Sequence, residues 1–251
     1  MNKQGLLLCA RYSVAPNFFG YCGPDNNLNL VDHLKDNIVD KEISVILSQF
    51  DTLFSYLRLI AKDNNIKDNF DKQVVESYWI GNKLLENINK DHYSSLLIEN
   101  FDLENKIGYE KSNKIISKIK SNHIYPHHSF HVFNIFKRTG HDPSFHTLNT
   151  MDQCRIGWGR IQIKSEKLKV KSLLVKTRQL VIKKNKLTFG ELINKELRID
   201  YKGKSFHDNF KVGDWVSYHW GFVCDVLTQN QVKYLKYFTE QSIKYFNQTN
   251  P

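Results

Sequence analysis

The spacing of apolar residues changes period once along this chain, and a chain that does so must build two kinds of layer. From residue 25 to about 123 the period is helical. Leu28, Leu30, Val31 and Leu34 predict a short first helix, and Ile43, Ile46, Leu47, Phe50, Leu53, Phe54, Leu57 and Ile60 a long second one with Asp40 as its cap. Asp71 precedes a third run from Val74 to Ile88, Tyr93 to Phe101 suggests a fourth, and Ile115, Ile116 and Ile119 a fifth. Beyond a linker running from Asp142-Pro143 to Asp152, the period becomes two. Residues 156–163, 168–175, 180–183, 197–201 and 215–220 read as five short strands, which a small β-barrel closes without leaving exposed edges. Thr228 and Gln231 form a capping-box pattern, and Val232, Leu235, Tyr237, Phe238, Ile243 and Phe246 continue as a closing helix. The expected class is α+β: a mainly helical domain over 1–148, then a barrel with a C-terminal helix over 149–251.

The first apolar stretch behaves differently. Gly5 to Pro24 is interrupted by Pro16, Gly20, Gly23 and Pro24, which predict an ordered loop rather than a continuous helix. The run Leu6-Leu7-Leu8 before Cys9 is too short for the apolar part of a leader, and no run approaches the ~20 apolar residues of a membrane span. With 36 Lys and Arg against 26 Asp and Glu the formal charge is +10, but the basic residues are scattered as on a solvated surface, so no nucleic-acid partner is expected. Cys9, Cys22, Cys154 and Cys224 form no CxxC pair, which fits reduced thiols in a cytoplasmic protein. Arg58 and Glu76 fall on otherwise apolar stretches and are candidates to neutralise each other.

Chemistry is concentrated in two places. Cys22, between Tyr21 and Gly23, is either a buried small hydrophobe or a nucleophile; in the second case His127, His128 or His131 would be its catalytic base. The stretch HIYPHHSFH (123–131) holds four of the ten histidines. His127 and His131 share one face in a helix and also in a strand, which makes them weaker metal candidates, while Phe130, Val132 and Phe133 make the same run a good core element.

Val212-Gly213-Asp214-Trp215-Val216, then His219, Gly221, Phe222 and Leu227, with Cys154 and Gly159 upstream, resemble the HypC/HupF family of small chaperones in nickel–iron hydrogenase maturation. The resemblance covers about the last 100 residues. It implies an OB-like barrel, with Cys154 and His219 helping to carry an iron centre bearing cyanide and carbon monoxide. The implied partners are a maturation scaffold or a hydrogenase large subunit. The N-terminal part is similar to an uncharacterised bacterial domain family on Arg11, Tyr12, Pro16, Asn17, Gly20 to Asp25, Tyr78, Trp79, Gly81, Asn82, Pro126 to Ser129 and His131. These special residues within apolar surroundings predict that the loop, the His-rich segment and Cys154 converge on one site. The expectation is thus an iron-binding accessory protein, with a Cys/His-dependent enzyme as the alternative.

Overall fold

A computed structural model describes residues 2–24, 28–36, 38–121, 124–135, 147–165, 172–201, 204–205 and 210–249. His123, Phe136, Asp142-Pro143 and the start of the strand expected at Leu168 lie outside these residues.

The first element corrects the sequence reading. Residues Lys3–Phe18 form a helix, α1, capped by the Asn2 side chain, with Pro16 in its final turns. Leu6, Cys9, Ala10, Tyr12 and Ala15 are all fully buried, because α1 runs through the middle of the molecule. Its neighbours are the next helices on one side and the sheet on the other. A helix apolar on every side needs no amphipathic stripe, and a proline this near the C-terminus removes only one main-chain hydrogen bond.

Helices α2 (Leu28–Asp36), α3 (Lys41–Ser48) and α4 (Asp51–Asp63) follow. Asp40 caps α3 through the Glu42 and Ile43 amides, as the pattern predicts, but the expected long helix is broken between α3 and α4 by a bend of 103°. Phe50 occupies the corner, 2% exposed, and its ring packs so closely on Gly23 that a Cβ there would lie 2.3 Å from it. Burying that ring outweighs helix continuity. No single helix among the described residues is long and apolar enough to cross a membrane.

α5 (Lys72–Trp79) is capped by Asp71 and stops at Gly81, which turns at φ +94° against the Phe238 ring. A 3-10 turn at Lys83–Asn87, α6 (Lys90–Ser95), a π turn at Leu96–Asn100, α7 (Leu103–Ile107) and α8 (Tyr109–Lys120) complete the helical layer. The His-rich segment forms the short α9 (His128–Phe130) and a second π turn at His131–Ile135. α10 (Leu148–Cys154) then leads into the strands.

The sheet has five strands: β1 (Gly157–Ser165), β2 (Ser172–Lys183), β3 (Lys186–Arg198), β6 (Trp215–His219) and β7 (Phe222–Leu227), with β4 (Asp200–Tyr201) and β5 (Lys204–Ser205) as a separate small ribbon. β1 pairs antiparallel with β2 and β6, β2 with β3, and β6 with β7. One parallel pair, Arg198 with Phe222, joins β3 to β7 and closes the circuit. Residues 172–175 of the segment expected at 168–175 and the segment expected at 180–183 belong to the single strand β2. β3 before residue 197 and the whole of β7 are additional. The hairpin between β6 and β7 turns through Trp220 and Gly221, both at positive φ, so β6 ends at His219.

The capping box is formed as the pattern predicts, Thr228 and Gln231 exchanging hydrogen bonds at the start of α11 (Gln229–Thr249). Glu76 accepts from Gln231 at 2.8 Å rather than meeting Arg58, which is exposed. One apolar cluster joins α1, α4 and α5 to Ile156, Phe222, Leu227, Leu235 and Phe238, so the core runs across residues 148 and 149 without interruption.

Candidate metal centre

His219 ends β6 against α1. Its Nδ1 donates to the Tyr12 main-chain oxygen at 2.7 Å, because a carbonyl can only accept. In the neutral ring this leaves Nε2 as a bare lone pair, and that atom is buried without a hydrogen-bond partner. Tyr12 O is available because residue 16 is proline: the N–H that would close the helical bond to the carbonyl four residues back does not exist.

His128, the first residue of α9, has both ring nitrogens engaged. Nε2 donates to the Cys154 carbonyl at 2.8 Å, and Nδ1 lies 3.1 Å from the Tyr78 hydroxyl, which donates to it. Cys154 closes α10 and is half-buried. Its neighbour Arg155 holds the helix end in place. Fully buried, Arg155 pairs with Asp152 at 2.8 Å and donates to the Arg178 carbonyl at 2.7 Å, while its guanidinium lies against the rings of Trp158 and Phe189. On the other flank the Trp220 amide donates to the Gln153 carbonyl at 3.0 Å, tying the hairpin tip to the same helix end.

These contacts bring the ligand atoms of His128, Cys154 and His219 within 4.8 Å of one another. Metal–ligand bonds of about 2.0–2.3 Å would require a contraction of roughly 1 Å or less. Trp79 forms one wall, 4.6 Å from the His128 ring and 5.6 Å from the His219 ring, and it stacks on Tyr12. Tyr21 stacks on Trp220 at 4.1 Å, which brings the chain around Cys22 to the same region.

Burial sets the protonation states. It lowers the His219 pKa to about 4, against the opposing effect of the Tyr12 and Cys154 carbonyls. Burial and the charge of His219 push His128 well below its ordinary value. Both rings are therefore neutral at pH 7 and able to ligate. Burial and the charge of Cys22 raise the Cys154 thiol, while the Trp220 indole works the other way, so ligation there must displace a proton.

The remaining candidates separate. His127 stacks on Phe238 and caps α9 through the Ser129 amide, whereas His131 meets Tyr56 at 3.0 Å. Neither belongs to the three-ligand group. The i and i+4 pairing fails because His127 is an extended cap residue, so no single helical face carries both. Cys22 is pushed up to about 11 by burial, and only the Gly23 amide opposes this. Burial of the thiol disfavours the thiolate that a nucleophile needs. His33, Asp40 and Glu42 form another group, at the exposed start of α3, where Asp40 already serves as the helix cap.

Tyr12, Tyr78, Trp79 and Trp220 are parts of the site that chemical reasoning on ligand types does not single out. The signal for three of them is the resemblance pattern that contains Tyr12 and Tyr78-Trp79. Other residues of that pattern are staples. Asn17 donates to the Cys22 and Pro24 carbonyls, Arg11 pairs with Asp225 at 3.1 Å, and Ser129 bonds Thr239 across to α11.

Fold and site together define an α+β protein with a buried His-Cys-His cluster where helices meet sheet. The chain belongs to a family of unknown function, DUF6390, whose model matches residues 1–250. No curated protein and no solved structure matches it.

Proposed function

We propose that this chain is a cytoplasmic accessory protein that holds a transition-metal centre, iron by preference, for delivery to a protein partner. The observation that carries the reading is the unpartnered Nε2 of His219 facing a group that also contains Cys154 and His128. One thiolate and two neutral imidazoles suit iron, and three protein ligands leave coordination positions for groups arriving with the metal. His219 ligates at no cost in hydrogen bonds, because its other nitrogen is already oriented by Tyr12. His128 gives up one bond on ligation. A carrier benefits from such unequal ligands, since the weaker one can release first.

The sequence resemblance to HypC/HupF chaperones points the same way. It names Cys154 and His219 as the iron-carrying pair and a hydrogenase maturation scaffold or large subunit as the recipient. A five-stranded sheet followed by a C-terminal helix is compatible with the OB-like barrel of that family. The alternative, a Cys22-dependent enzyme, has less support because burial raises the thiol away from its reactive thiolate form.

Anaerobic isolation of the chain co-produced with hydrogenase maturation proteins tests the reading. Near-stoichiometric iron with infrared bands of cyanide and carbonyl is expected, and both should disappear in Cys154→Ser and His219→Ala. A wild-type protein that folds normally but takes up neither iron nor another transition metal would overturn the carrier reading. Metal without diatomic bands would remove its link to hydrogenase maturation.

A further inference from the structure

We propose a second ligand site, a groove beside α4 that binds a small phosphate ester. The groove encloses about 390 Å³ and shares no residue with the metal centre, so the two readings stand or fall separately. That volume suits a small organic ligand.

Its lining is cationic. Arg58 and Lys62 lie one turn apart on α4, and His92 of α6 faces them. No carboxylate lines the groove among the described residues, and neither Arg58 nor Lys62 has an ion-pair partner there. Ser55, Ser95, Asn69 and Asn100 add neutral hydrogen-bonding groups around the cations.

The walls are held in advance. Asp63, its side chain 3% exposed, accepts from His92 Nδ1 at 2.7 Å and from the Asn89 amide at 2.8 Å. One buried carboxylate thereby joins the end of α4 to the start of α6 and fixes the His92 ring. The π turn Leu96–Asn100 continues α6 along the groove, and such local widening of a helix recurs at binding sites.

Charge distribution selects the ligand class. Arg58 and Lys62 are gathered within one helical turn with the His92 ring opposite, which suits a single compact dianion better than an extended acidic chain. The planar guanidinium can grip two phosphate oxygens while the ammonium meets a third. Leu59 and Leu96, 7% and 9% exposed, offer an apolar floor for the organic part of an ester.

Calorimetric titration of the full-length chain with phenyl phosphate and, separately, with inorganic phosphate tests the assignment. Phenyl phosphate should bind more tightly than inorganic phosphate. Arg58→Gln and Lys62→Gln should each weaken it by about tenfold or more, as expected for losing a charged hydrogen bond. Both positions are exposed, so circular dichroism should show unchanged folding. No binding of phenyl phosphate at millimolar concentration, or binding undiminished in the Arg58→Gln/Lys62→Gln double variant, would overturn the site. Equal binding of the two probes would overturn its assignment to an ester.

Discussion

His219 Nδ1 and the Tyr12 main-chain oxygen meet at 2.7 Å across 207 residues of chain, and the bond exists because Pro16 leaves that oxygen unclaimed by α1. The element that orients a metal-type ligand on the sheet is thus a defect in the central helix. Pro16→Ala supplies the missing N–H and creates a competitor for Tyr12 O. Affinity for Co(II), followed by its absorption spectrum, should fall by about 10–100-fold, the usual effect of losing a group that orients a ligand. The melting temperature should hold or rise, since alanine restores the one helical donor that proline lacks. Unchanged affinity would remove Pro16 from the site.

Stability should fall on mild acidification. Burial lowers His127 and His131 to about 3, whereas unfolded histidine titrates near 6.5. Between these values the unfolded chain binds more protons than the folded one. The contribution is therefore fully present above pH 6.5 and is lost as pH falls towards 3, by several kcal/mol for each ring. Denaturant melts across this range should show a steep loss below about pH 6. A flat profile down to pH 4 would mean that these rings are not held neutral.

Arg155→Met should be strongly destabilising, by roughly 3–5 kcal/mol, because it leaves the Asp152 carboxylate buried without its partner. Adding Asp152→Asn should recover part of the loss. Chemical denaturation of the two variants checks both signs, and a neutral single variant would show that the pair contributes no net stability.

Cys22 should alkylate slowly at neutral pH, with a rate that climbs towards its thiol value of about 11. An iodoacetamide rate profile by peptide mass spectrometry measures this. A midpoint below the ordinary value of about 8.5 would revive the enzyme reading.

The α+β class, the Asp40 cap and the start of the last helix at Thr228 were all legible in the sequence. They rest on local chemistry: a short polar side chain reaches the next amides, and an apolar period marks the face to be buried. Tertiary structure alone decided that Gly5 to Phe18 is helical, that Phe50 breaks the second helix, and that His128 rather than His127 or His131 joins the cluster. Each of these outcomes depends on partners distant in sequence. α1 is surrounded by the layers that bury it, Phe50 turns inward beneath Gly23, and His128 is selected by the Cys154 carbonyl and the Tyr78 hydroxyl. Pro16 shows the difference most directly: residue type determines that a carbonyl of α1 goes unpaired, but only the packing of β6 against α1 decides that His219 receives it.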